Sequence, residues 1–167
     1  MVSIRRATQD DLSAITEIYN YAILKTTATF DTEPKTVEEQ KAWFEDHGSQ
    51  NPILVAELDT VIVGWAALSK WSDRCAYSDT AEISLYVKEE YQGQKIGKIL
   101  MERILEEGRE AGLHTVIARI VEGNEISIHL HESNGFVQIG IMKEVGKKFG
   151  KLLDVYLLQK IYENQVY

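Results

Sequence analysis

Between Tyr91 and Gly97 the chain reads Tyr-Gln-Gly-Gln-Lys-Ile-Gly, a glycine-bearing turn that runs straight into a stretch of helical periodicity. A turn that feeds a helix start leaves several backbone N–H groups without intrahelical partners, at the positive end of the helix dipole. Gln92, Gly93, Gln94, Lys95, Ile96, Gly97 and Lys98 are therefore candidates to hold phosphate. Two familiar phosphate motifs are excluded by spacing. Gly93 and Gly97 do not make a G-x-G-x-x-G dinucleotide fingerprint, and Gly97-Lys98-Ile99 lacks the hydroxyl that a nucleotide P-loop places after its lysine. The alternative is an ordinary strand-to-helix connection with turn glycines.

Two elements must position that turn. Glu82 to Lys88 alternates, with Ile83, Leu85 and Val87 on one face and Ser84 and Tyr86 on the other, which predicts a strand. From Ile96 the period lengthens. Ile96, Ile99, Leu100, Ile104, Leu105, Gly108 and Ala111 form one apolar face, with most of the charge off it. That predicts an amphipathic helix that stops at Gly112.

Composition narrows the class. A chain of 167 residues, 44% hydrophobic and 26% charged, suits a single domain over residues 1–167 with a sizeable core. A net charge of −8 argues against a nucleic-acid partner, which would want a basic face. No apolar run approaches the roughly 18 residues of a membrane span, and Met1 to Arg6 has no export-type apolar region. A cytoplasmic location without membrane contact is expected. Cys75 is the only cysteine, so no intrachain disulfide can form, and no Cys–His spacing supports a nucleophile.

Taken in order, Ser3 to Ala7 predicts a strand, and Leu12, Ile15, Ile18, Tyr19, Ala22 and Ile23 a helix behind capping residues at Thr8 to Asp11. Lys25 to Pro34 reads as loop. Thr36-Val37-Glu38-Glu39 is a capping box opening a second helix that ends near Gly48. Ile53 to Leu58 and Val61 to Leu68 are strands joined by a hairpin turn at Asp59-Thr60. Trp71 to Asp79 reads as loop. His114 to Val121 predicts a continuous apolar strand buried on both faces. Asn124 caps a helix with Ile126, Ser127 and Leu130 inward, ended by Gly135. Phe136 to Val145 and Leu152 to Ile161 are strands separated by a turn at Gly146 to Lys151, and the tail from Glu163 to Tyr167 frays. The order is β-α-α-β-β-β-α-β-α-β-β, an α+β fold in which a mixed, mostly antiparallel central sheet is flanked by helices.

At this point three features resemble the GCN5-related N-acetyltransferases. Gln92-Gly93-Gln94-Lys95-Ile96-Gly97 is similar to that family's pyrophosphate loop, [QR]-x-x-G-x-[GA], with Lys95 where the family has a glycine. Asn124-x-x-Ser127-x-x-Leu130-His131-x-x-x-Gly135-Phe136 resembles its second cofactor segment. Trp71-x-x-Arg74-x-Ala76-Tyr77-x-x-Thr80-Ala81-Glu82, then Leu130-His131-Glu132, Lys148-Phe149-Gly150 and Asp154-Val155, is similar to the phosphinothricin and methionine sulfoximine acetyltransferases. The likeness covers nearly the whole chain. If the loop glycine serves a positive φ, Lys95 strains the turn; if it serves close approach to phosphate, a lysine folded outward is tolerated.

The resemblance implies acetyl-coenzyme A as co-substrate, no metal, a small-molecule amine as acceptor, direct attack without a covalent enzyme intermediate, and a homodimer. That chemistry needs a neutral amine, an aligned thioester, a donor for the oxyanion and a proton for the departing thiolate. It makes Glu82 the acceptor of the ammonium proton and His131 the donor to the thiolate; the alternatives are a solvated strand-end carboxylate and a structural histidine. It places Leu85, Tyr86 and Val87, the Gln92–Lys98 turn, Asn124 and Ser127 along the cofactor. Arg74, Tyr77, Glu82, Ile83, Ser84 and Lys148 fall to the substrate, Arg74 as a fork for a carboxylate. Asn124 can equally serve its own helix start, and Lys148 a solvated turn. The apolar run Val155 to Leu158 could support the dimer. Two other functions stay open: acetylation of a polyamine, aminoglycoside or protein N-terminus, and a coenzyme A-binding module without turnover.

Overall fold

A computed structural model describes residues 1–163. Four residues of the tail expected to fray, 164–167, lie outside them. Along the chain run β1 (Ser3–Arg6), α1 (Leu12–Lys25), α2 (Val37–Glu45), β2 (Ile53–Leu58), β3 (Val61–Lys70), β4 (Thr80–Val87), α3 (Ile96–Glu110), β5 (Thr115–Val121), α4 (Glu125–Glu132), β6 (Val137–Lys148) and β7 (Lys151–Ile161). The seven strands make one sheet in the order β1-β2-β3-β4-β5-β7-β6. Every pair is antiparallel except β4 with β5, because α3 carries the chain back across the sheet between them.

Local chemistry explains most boundaries. Thr36 accepts from the Glu39 amide while the Glu39 carboxylate accepts from the Thr36 amide, which starts α2. Asp59 and Thr60 both take positive φ, 49° and 69°, as the right-handed twist of a tight hairpin demands. Gly112, at φ 89°, ends α3.

The sheet is covered on both faces. On one, α3 buries Ile96, Leu100, Met101, Ile104 and Leu105 against Leu54, Val63, Leu68, Ile83 and Val116. Each such side chain contributes roughly 1.5–3 kcal/mol of burial. On the other, α1 packs Leu12, Ile15 and Ile18 on Val55 and Trp65, with Tyr19, Trp43 and Tyr86 at the margin. Tyr162 spans back to α3, its hydroxyl donating to the Leu105 carbonyl at 2.6 Å.

Four expectations are corrected. Ile99 is 40% exposed, and Met101 takes its place on the buried face of α3. Ile126 is 86% exposed, since α4 is one short helix that turns His131 inward instead. The last hairpin closes on Phe149 and Gly150 alone, at φ 50° and 75°, so the lysines flanking them belong to strands. β7 lies between β5 and β6, which leaves Val155 and Leu158 buried rather than on a free surface; the sheet edge on that side is β6.

Candidate active site

The pairing of β4 with β5 is brief. It runs from Thr80 opposite Thr115 to Glu82 opposite Ile117, after which both strands continue without pairing to each other. They splay apart, and the backbone edge of β4 from Ile83 to Val87 faces an open cleft of about 1360 Å³. β4 forms one wall, Ala118 to Val121 the other, and the turn before α3 and the start of α4 close one end. Thr26 to Asp31, Met142 and Val145 line it as well.

At the turn, Gly93 has φ 77° and Lys95 sits in the left-handed region at φ 66°, ψ 7°. Lysine thus occupies a conformation that favours glycine, and the turn is strained. Lys95 is the N-cap of α3 and accepts the first helical bond from the Ile99 amide at 3.1 Å. The amides of Ile96, Gly97 and Lys98 then have no intrahelical acceptor. Gln92 Nε2 donates to the Val87 carbonyl at 3.2 Å and ties the turn to the end of β4. A Cβ built on Gly97 would sit 3.6 Å from Leu130 and 3.7 Å from Leu85, ordinary contact, so the fold does not require glycine there. Its small size keeps space in the cleft.

At the start of α4 the Asn124 side chain accepts from the Ser127 amide at 3.3 Å, a helix cap. One turn on, His131 Nδ1 lies 2.7 Å from the Ser127 carbonyl. A carbonyl only accepts, so the ring carries its proton on Nδ1. The ring is buried edge-on against Phe136, 5.0 Å between centroids, and burial pushes its pKa below that of an ordinary histidine. In this neutral form Nε2 presents a lone pair, not a proton.

Glu82 stands where the strands part. Both its oxygens accept from Arg119 of β5, Oε1 from Nη2 at 2.7 Å and Oε2 from Nε. The bond to Glu82 pushes the guanidinium pKa further up. Arg119 also lies 5.8 Å over the Trp71 ring. The early loop forms a polar corner nearby. Tyr19 donates to Asp31 and lies 3.1 Å from the Thr29 hydroxyl. Burial, then Asp31, pushes its phenol pKa up.

The structure brings together most of the residues singled out from the sequence. Glu82, Ile83, Ser84, Leu85, Tyr86, Val87, Gln92, Gly93, Lys95, Ile96, Gly97, Lys98, Asn124, Ser127 and His131 all line the cleft. Gln94 does not; its side chain turns back 3.4 Å to the Glu90 carbonyl. Arg74 and Tyr77 are exposed in the β3–β4 connection, outside the lining. Lys148 is buried, donating to the Thr29 carbonyl at 2.7 Å, and burial pushes its pKa down; it clamps the last hairpin to the early loop. Sequence reasoning missed Arg119, and the signal was a lone charge in Thr-Val-Ile-Ala-Arg-Ile-Val. Among the described residues no group of three or more His, Cys, Asp or Glu could hold a metal ion.

A sheet split at its one parallel pair, with a phosphate-ready turn at one end of the split and a carboxylate at the other, defines an acyl-coenzyme A-dependent transferase. The chain belongs to the acetyltransferase (GNAT) family, whose model its residues 15–136 match. It is 38% identical to the L-amino acid N-acyltransferase MnaT of Escherichia coli (strain K12) over 95% of this chain and 92% of that protein. It is 35% identical to a phosphinothricin N-acetyltransferase of Streptomyces viridochromogenes, over 97% and 88%. The fold superposes on the acetyltransferase yncA of Salmonella typhimurium, solved with its cofactor acetyl-CoA, at TM-score 0.96 and 35% identity, covering 100% of this chain and 97% of that one.

Proposed function

We propose that the protein moves the acetyl group of acetyl-coenzyme A to the α-amino group of a small amino-acid-like substrate, of the methionine sulfoximine or phosphinothricin kind. The observation that carries this is the split between β4 and β5, with Glu82 where it begins and the unpaired amides of Ile96 to Lys98 at its far end. The relatives' names support the acceptor class.

The chain's groups fit the co-substrate. The turn amides and the ammonium groups of Lys95 and Lys98 would hold its phosphates. The unpaired edge of β4 from Ile83 to Val87 would bond the amides of its arm as a further strand would. When bound it supplies an acyl group activated toward amines. Glu82 accepts the ammonium proton of the substrate and leaves a neutral nucleophile. Ser84, Phe30, Met142 and Val145 wall the acceptor end. His131, its Nδ1–H donating to the Ser127 carbonyl, holds the start of α4 in place, and its Nε2 takes the second proton from the attacking nitrogen and passes it to the departing thiolate.

We further propose a cytoplasmic homodimer that pairs through β6. That strand is the sheet edge opposite β1, and Val137, Ile139 and Ile141 stand exposed along it. A monomer by light scattering at micromolar concentration contradicts the dimer. The function is tested by following coenzyme A release from acetyl-coenzyme A across amino acids, polyamines, aminoglycosides and peptides. Release with amino acids alone is expected; release with polyamines or peptides alone overturns the acceptor class, and binding without release overturns catalysis.

A further inference from the structure

Arg119 has no role in the chemistry described so far, yet it is the side chain most intimately joined to Glu82. It extends from β5 two residues beyond the last β4–β5 pair, and its guanidinium is half exposed in the cleft. Two of its five N–H donors go to the Glu82 oxygens, which leaves three. Glu82 is the one hydrogen-bond partner of the guanidinium among the described residues. The Trp71 ring lies against the guanidinium and limits where it can swing.

Both Glu82 oxygens are occupied by this fork, the arrangement least ready to take a proton from an amine. An α-amino acid carries its ammonium and its carboxylate on one carbon. A carboxylate and a guanidinium held side by side present the complementary pair. We propose that Arg119 binds the substrate's α-carboxylate, and that this exchange of partners releases Glu82 to deprotonate the adjacent ammonium. The substrate carboxylate takes over guanidinium donors, bidentate as Glu82 was. A freed Glu82 oxygen then accepts the proton of the substrate ammonium, whose nitrogen keeps the electron pair of the broken N–H bond and becomes the nucleophile. An amine without a neighbouring carboxylate cannot draw Arg119 away, so it meets a base that is still engaged. Specificity for amino acids thus arises in the proton-transfer step as well as in binding. Arg74, exposed and outside the cleft lining, is not needed for this contact.

The inference rests on Glu82 being the proton acceptor, and its test separates the two. L-methionine sulfoximine and its carboxamide are compared in steady state with wild type, Arg119→Ala, Arg119→Gln, Arg74→Ala and Glu82→Gln. Binding of L-methionine sulfoximine to the coenzyme A-loaded proteins is measured by calorimetry alongside. Arg119→Ala and Arg119→Gln should raise KM and Kd for the amino acid about tenfold or more. The same variants should turn over the carboxamide faster than wild type does, because Glu82 is no longer engaged. Arg74→Ala should leave both substrates within about twofold. Equal losses on both substrates in the Arg119 variants overturn the inference, as does a selective loss of the amino acid in Arg74→Ala. Amino-acid turnover by Glu82→Gln at the wild-type rate instead overturns the proton acceptor itself, and this inference with it.

Discussion

Lys95→Gly should make the protein more stable while weakening its hold on coenzyme A. Lys95 is fixed at φ 66°, ψ 7° by the turn that starts α3. A Cβ in that region costs roughly 1–2 kcal/mol. Glycine removes the cost but loosens the unfolded chain, which takes back about 0.4–1 kcal/mol. The net gain is on the order of 0.5–1 kcal/mol, or about 1–4 °C in Tm for a chain of this size. Gly93 supplies the reciprocal control. It sits at φ 77° with nothing within 4 Å of a built Cβ, so Gly93→Ala loses stability through backbone conformation alone. Lys95→Ala separates strain from charge, because it keeps the strained φ and drops the ammonium. Scanning calorimetry without ligand should order the melting temperatures with Lys95→Gly above wild type and Gly93→Ala below it. Titration with coenzyme A should show the same few-fold loss in both Lys95 variants, shrinking as salt screens the charge. A Lys95→Gly protein that melts below wild type refutes the strain argument.

Gly97→Leu should weaken acetyl-coenzyme A binding about tenfold or more, some 1.4 kcal/mol by calorimetry, whereas Gly97→Ala, a change in the first turn of α3 that meets only ordinary contacts, should raise stability by about 0.4–1 kcal/mol through the unfolded chain. Glu82→Gln should lower kcat by about 10²-fold, with the loss eased at high pH where free amine is abundant; a loss independent of pH contradicts the base. Asp11, nearly buried, is held below the usual carboxylate range chiefly by its hydrogen bonds from Arg5. A depressed folded value means the stabilisation is present above the ordinary pKa near 4 and is lost as pH falls through the folded value. Asp11→Asn should therefore cost about 1–2 kcal/mol at pH 7 and progressively less in acid, read from urea unfolding across pH.

Elements with a local cause were legible in the sequence. The Thr36–Glu39 box, the Asp59-Thr60 turn, the Gly112 and Gly135 stops and the strand-to-helix switch at Ile96 each follow from residues close in the chain. What depends on distant partners was not. The insertion of β7 between β5 and β6 buries Val155 and Leu158, and no local pattern marks it. From the sequence Lys148 reads as a substrate residue or a solvated turn lysine, yet it reaches the Thr29 carbonyl across the fold. The same division holds at the site. The turn and β4 are one contiguous stretch, so their residues were readable together. Arg119 gains its meaning only from Glu82, 37 residues earlier, at the point where two strands part.

The central claim is direct acetyl transfer to an α-amino group. Its most direct measurement incubates the protein with carbon-13-labelled acetyl-coenzyme A and an equimolar mixture of L-methionine sulfoximine, spermidine and an alanine-starting peptide, with the label located by mass spectrometry. The account predicts label on the α-nitrogen of the amino acid and no labelled protein at any time point. Label on spermidine or the peptide instead, or an acetylated protein that forms before the product, would contradict it.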